Sequence, residues 1–225
     1  MKLITSRNKT LFIHKNINPI ITSLSKFNRK HTMQNILILG ATGSLAAQII
    51  PTLLAETDNN LTLFARNPSR LAQFKSERVQ IVQGDMMNIE QLSEALKGKD
   101  IVYAGLAGNL EPMAKNLVTA METAQVKRLI WVSSMGIYGE TGEDHGAILE
   151  PYRRSAQIIE QSGLDYTILR PGWFTNGQEI DYQLTHKGEN FKGHSVSRRS
   201  IADFVLKLVQ NPELEIKQSV GIAKG

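Results

Sequence analysis

Two kinds of apolar stretch alternate along this chain. The first is short and continuous, over 36–39, 61–65, 79–83, 101–104, 129–133, 166–169 and 219–223. Runs of this length, mostly without strict polar alternation, suit strands of a parallel sheet buried on both faces. The second repeats with a helical period: Leu45, Ile49, Ile50, Leu53 and Leu54 fall on one face, and comparable patterns run over 89–96, 110–124, 151–162 and 201–209. Strand and helix in regular alternation predict an α/β fold of Rossmann type, a doubly wound parallel sheet in three αβα layers. Three finer expectations follow from single residues. Pro68 suits the first turn of a short helix reaching Lys75, and Gly163 is placed to close the helix before it in the left-handed conformation. Residues 173–199 are irregular and too long for a plain connector, which predicts a lid.

The stretch 35–46 joins the first strand to the first helix through Gly40 and Gly43. Glycine there permits a tight turn and lets a pyrophosphate approach without a Cβ in the way. The helix behind it turns free N–H groups toward the anion. Ala46 is small where a third glycine would allow close helix–strand packing. Together these features point to a dinucleotide. The end of the second strand bears on which one, because an acidic side chain there binds the 2′-hydroxyl of NAD whereas arginine suits the 2′-phosphate of NADP. The residue is Arg66, no Asp or Glu lies between 61 and 76, and Arg70 and Asn67 follow closely. NADP(H) is therefore favoured over NAD(H), with a merely solvated arginine as the alternative.

Composition changes this picture in a few places. There is no cysteine, and the five histidines are scattered without an i, i+4 pair, so disulfides, thiolate chemistry and a zinc site are not expected. The net charge of +5 resides in residues 1–34, which hold seven Lys or Arg and no acid, leaving 19 basic against 21 acidic residues beyond them. The rest of the chain thus gives no argument for nucleic-acid binding, and no apolar run is long enough for a membrane span. The leading 1–34 segment reads as a disordered tail or gene-start artefact, with an organellar transit peptide or a nucleic-acid- or membrane-binding arm as alternatives. Residues 35–225 read as one nucleotide-binding domain with its lid at 173–199. The glycine- and acid-rich loop 136–146 is expected to be mobile.

The set Gly40-Ala41-Thr42-Gly43-Ser44-Leu45-Ala46, Gly84-Asp85, Val132-Ser133-Ser134 and 162–172 (Ser-Gly-Leu-Asp-Tyr-Thr-Ile-Leu-Arg-Pro-Gly) resembles the atypical short-chain dehydrogenase/reductases. Within them it is most similar to the small NAD(P)H-binding, NmrA-like group that includes flavin and biliverdin reductases. The resemblance implies that Gly40, Thr42, Gly43, Ser44, Leu45 and Ala46 form the pyrophosphate loop and that Arg66 takes the 2′-phosphate. It places Asp85 and Met86 at the adenine, Ala104 and Gly105 at the nicotinamide-side ribose, and Ser133 and Ser134 near the nicotinamide. Pro171, Gly172 and Trp173 would approach its carboxamide. For the two serines, capping of a polar strand end is the structural alternative.

The chain departs from the wider family at its catalytic pair, a tyrosine followed four residues later by lysine. The residues four beyond the five tyrosines are Ala107, Gly142, Ala156, Arg170 and His186. Tyr152 stands nearest the expected place, with Ser134 as the other catalytic candidate. An arginine such as Arg153 or Arg154 cannot shuttle a proton near neutral pH. Alcohol–ketone chemistry is then poorly served, whereas a conjugated acceptor needs mainly orientation from the protein. Trp173, Phe174, Tyr138 and Tyr152 either frame a planar pocket or pack the lid on the core. The expectation is a cytoplasmic NADPH-dependent oxidoreductase, monomer or homodimer, acting on a small-molecule flavin, quinone or similar acceptor. The alternative is an NADP(H)-binding redox sensor without turnover.

Overall fold

In the computed structural model, residues 33–143 and 146–225 are described. The basic leading segment falls outside them save for its last two residues, Met33 and Gln34, as do Asp144 and His145 of the acidic loop. The strands are β1 (Asn35–Leu39), β2 (Asn60–Ala65), β3 (Val79–Gln83), β4 (Ile101–Ala104), β5 (Arg128–Val132), β6 (Asp165–Pro171), β7 (Trp173–Thr175), β8 (Gln183–His186), β9 (Ser195–Ser197) and β10 (Gln218–Ala223). The helices are α1 (Ala46–Glu56), α2 (Ile89–Leu96), α3 (Leu110–Thr123), α4 (Glu150–Glu160) and α5 (Arg198–Gln210). Eight strands form one sheet in the order β3-β2-β1-β4-β5-β6-β10-β8, parallel throughout except where β8 runs against β10. The first six follow the doubly wound order, which reverses between β1 and β4.

β1 shows why its apolar run has no polar alternation. Ile36 and Ile38 pack toward α1 and α5 with Ile49, Ile50, Leu53, Phe204 and Leu208. Leu37 and Leu39 face the opposite layer of α2, α3 and α4, with Leu92, Leu96, Leu117 and Ile159. All four are fully buried, so each face of the strand needs an apolar residue at every position.

The structure bears out one local expectation, the short helix begun by Pro68, and corrects two. The segment after Pro68 is a 3-10 helix, Pro68–Phe74, started by the Asn67 side chain, which accepts from the Ser69 N–H at 3.2 Å. Gly163 is not left-handed: α4 ends at Gln161 in ordinary right-handed geometry, and the Ser162 hydroxyl donates to the Ile159 carbonyl at 2.6 Å. Residues 173–199 are not irregular, because β7, β8 and β9 lie within them. β8 joins the main sheet, while β7 and β9 form a separate two-stranded parallel ladder. Strands of three or four residues are too short to show a period.

Candidate functional site

All segments expected at the site end at the carboxyl edge of the sheet, where doubly wound folds bind their ligands. Gly40 follows β1 with φ +74°, and a Cβ there would run into the Gly105 carbonyl oxygen at the end of β4. The turn is closed by the Gly43 N–H donating to the Gly40 carbonyl at 2.9 Å. Its successor, α1, starts after Leu45, which offers no side-chain cap, and the Ala47 and Gln48 N–H groups donate to the Gly43 and Leu45 carbonyls. Gly84 is needed because a Cβ would collide with the Phe64 ring, and Gly105 because one would lie 2.6 Å from the buried Tyr103 hydroxyl.

These turns floor a cavity of about 650 Å³. Of the expected cofactor residues, Gly40, Thr42, Gly43, Arg66, Asp85, Met86 and Gly105 line it. Arg66 and Arg70 are both exposed at its wall, and neither has a carboxylate partner among the described residues. The Asp85 carboxylate accepts from the Met87 N–H at 2.9 Å, and Met86 is held by the Asn116 amide donating to its carbonyl at 3.1 Å. Met113 on α3 also lines the cavity and was not expected there. A lone apolar residue on a helix carries no signal of what lies beyond its face.

A second cavity of about 210 Å³ lies where β5 and β6 end. Both catalytic candidates, Ser134 and Tyr152, line it together with Pro171, Gly172 and Trp173. Met135, Ile148 and Leu149 complete the wall, and among the described residues none of the lining side chains is charged. The Ser134 hydroxyl donates to the Met135 carbonyl at 3.1 Å. Trp173 is 60 % exposed and leans toward His194, ring centroids 6.5 Å apart. Gly172 is required by close packing, since a Cβ would sit 2.5 Å from the His194 carbonyl oxygen.

Five expected residues line neither cavity. Leu45, Ala46 and Ala104 are buried in the core, where they set backbone position. Ser133 is buried, its N–H donating to the Leu169 carbonyl at 2.7 Å and its hydroxyl without a partner. Ser44 instead faces Arg198, whose Nε lies 3.4 Å from its hydroxyl oxygen. Arg198 was also missed, because it is 154 residues away in sequence.

Of the four aromatic residues considered for a planar pocket, only Tyr152 and Trp173 line it. Phe174 lies beneath Arg198, with the guanidinium 5.1 Å from the ring centroid. Tyr138 is drawn into a buried network, its hydroxyl donating to Glu160 at 2.7 Å, and burial pushes that phenol well above the usual tyrosine range.

The same network anchors the first part of the acidic loop, at Gly136, Tyr138 and Glu140. Glu140 turns inward and pairs with the fully buried Arg170, both side chains almost inaccessible. Its carboxylate also accepts from the N–H groups of Gly136 at 3.0 Å and Tyr138 at 2.8 Å. Arg170 donates further to Ser219 Oγ at 3.1 Å and to the Thr185 carbonyl at 3.2 Å. A buried carboxylate and guanidinium each require such multiple partners, and here they tie the turn after Ser134 to β6, β8 and β10.

The first cavity fits a nicotinamide dinucleotide by these features: strand-end turns so closely packed that glycine is required, a helix start without a side-chain cap, and two guanidiniums at the wall with no carboxylate partner among the described residues. Residues 40–212 match the family model described as NAD(P)H-binding. A Rossmann-fold NAD(P)-binding family protein from Shigella flexneri superposes with a TM-score of 0.79 at 42% identity, covering 86% of this chain and 94% of that one. A short-chain dehydrogenase/reductase from Veillonella parvula, solved in complex with NADP, gives 0.80 at 28% identity, covering 86% and 95%. The (4-alkanoyl-5-oxo-2,5-dihydrofuran-3-yl)methyl phosphate reductase of Streptomyces griseus is 30% identical over 139 residues, which make up 62% of this chain and 48% of that protein. The chain thus spans about half the length of the curated relatives it matches over this stretch.

Proposed function

The chain belongs to the NAD(P)H-binding, NmrA-like group of atypical short-chain dehydrogenase/reductases, and from that premise we propose that it reduces a conjugated acceptor, such as a flavin or quinone, with NADPH. The observation that carries this is the contrast between the cavities at the carboxyl edge. Among the described residues, one has cations without a carboxylate partner at its wall, and the other is lined by no charged side chain, with Ser134 and Tyr152 among its few polar groups. The Streptomyces relative supports the acceptor class, because its named substrate holds a ring alkene conjugated with carbonyl groups.

The chemistry a bound NADPH supplies is hydride transfer. Arg66 and Arg70 hold the 2′-phosphate by charge-assisted hydrogen bonds, and the start of α1 receives the diphosphate. Met135, Leu149, Tyr152 and Trp173 orient a flat acceptor and keep water from its face. Ala156, four residues after Tyr152, is fully buried and apolar, so no lysine stands there to lower the phenol pKa. The acceptor's delocalised charge takes its proton from solvent, and the Ser134 hydroxyl turns from the Met135 carbonyl to donate to the acceptor oxygen.

The test follows NADPH consumption with FMN, a quinone and a simple ketone in parallel. Turnover with a conjugated acceptor and none with the ketone is expected. NADPH binding without turnover on any conjugated acceptor would overturn the assignment and favour a redox-sensing role.

A further inference from the structure

Arg198 is the first residue of α5, and its place is set from several directions. The Ser197 hydroxyl caps that helix by accepting from the Ser200 N–H at 2.9 Å, and β9 is laid beside β7 with Ser197 opposite Thr175. The side chain therefore reaches back over β7. Its Nη1 donates to the Thr175 carbonyl at 3.1 Å and to Asn176 Oδ1 at 2.9 Å. Its face covers Phe174, and its Nε stands 3.4 Å from Ser44 Oγ in the glycine loop. Arg198 thus spans the gap between the loop of the first cavity and the strand that begins with Trp173 of the second.

The charge on this side chain is uncompensated. Every partner named above is neutral, Nη2 has none among the described residues, and no acid lies in the first turn of α5. By contrast, Arg154 and Arg170 both meet carboxylates. A cation in the first turn also opposes the positive end of the helix dipole, so the guanidinium is held by two neutral oxygens and the Phe174 face and by no opposite charge among the described residues. At 3.4 Å the contact with Ser44 is longer than a charge-assisted bond of 2.7–2.9 Å, so the guanidinium gives up little by turning to a charged acceptor.

We propose that Arg198 binds a phosphate group between Ser44 and β7, exchanging its long contact with the serine for a charge-assisted pair. This rests on the NADPH-dependent reading above and adds a residue that joins the cofactor loop to the acceptor cavity. The phosphate belongs either to the diphosphate of the dinucleotide or to a phosphorylated acceptor such as FMN.

The full-length protein and its Arg198→Ala, Arg198→Gln and Arg198→Lys variants separate these sources. NADPH is titrated calorimetrically, and KM is measured for FMN and for riboflavin, which lacks the phosphate. If the dinucleotide is the source, Arg198→Ala weakens NADPH binding about ten- to a hundredfold and leaves the FMN-to-riboflavin ratio unchanged. If the acceptor is the source, NADPH affinity stays constant and the preference for FMN over riboflavin disappears. In both cases Arg198→Lys keeps part of the effect, and raising the salt concentration narrows the gap between wild type and Arg198→Ala. Should Arg198→Ala fold poorly, Arg198→Gln, which keeps a neutral donor for Thr175, supplies the same comparison. Unchanged NADPH affinity together with an unchanged ratio would overturn the proposal alone. A wild type that does not bind NADPH would overturn the functional reading with it.

Discussion

The two cavities at the carboxyl edge are built by different means. The larger is a row of strand ends, each turned by a glycine or capped by a near neighbour: Gly40 after β1, Asn67 after β2, Gly84 after β3 and Gly105 after β4. The smaller is held by partners far apart in sequence. Arg170 reaches Glu140 across 30 residues and Ser219 across 49, and Gly172 seats itself against His194. A site made of local turns tolerates change elsewhere in the chain, whereas one clamped by a buried ion pair depends on both partners at once.

That contrast can be broken most directly at the clamp. Glu140→Ala leaves Arg170 buried without its counter-charge and is expected to cost about 3–5 kcal/mol in urea unfolding. Replacing both partners, as Glu140→Leu with Arg170→Met, should cost less than the single change, because no buried charge is then left unpaired. Equal losses would show that packing and not charge holds the turn after Ser134.

The next largest effect belongs to the local site. Gly40→Ala forces a left-handed residue, costing about 1–2 kcal/mol, and drives a methyl group into the Gly105 carbonyl. Loss of measurable NADPH binding is expected in a protein that still folds, as read by titration and thermal melting. Retained affinity would mean that the cradle is not where the diphosphate lies.

Two smaller effects sharpen the division of labour. Arg66→Asp should weaken NADPH by about ten- to a hundredfold while NADH changes little; parallel losses would remove the 2′-phosphate assignment. Tyr152→Phe should leave turnover of a quinone within about twofold, whereas loss of a general acid costs about 10²–10⁴-fold. A loss on that scale would make the phenol a proton donor after all.

What the sequence by itself determined is the part built from neighbours. The strand, glycine turn and helix at 35–46, the alternation of parallel strands with helices and Arg66 at the end of β2 were legible because period and turn chemistry are local properties. The expectation of Asp85 and Gly105 at the same site came from the family resemblance. Only the tertiary structure decided the rest. Glu140 looks like one more surface acid in a glycine-rich loop until Arg170 is found beneath it. Tyr138 and Phe174 look like pocket aromatics until Glu160 and Arg198 claim them. β7 and β9 are too short to announce themselves, and Arg198 acquires meaning only beside Ser44. Each of these depends on a contact between distant segments, and such a contact leaves no period in the chain.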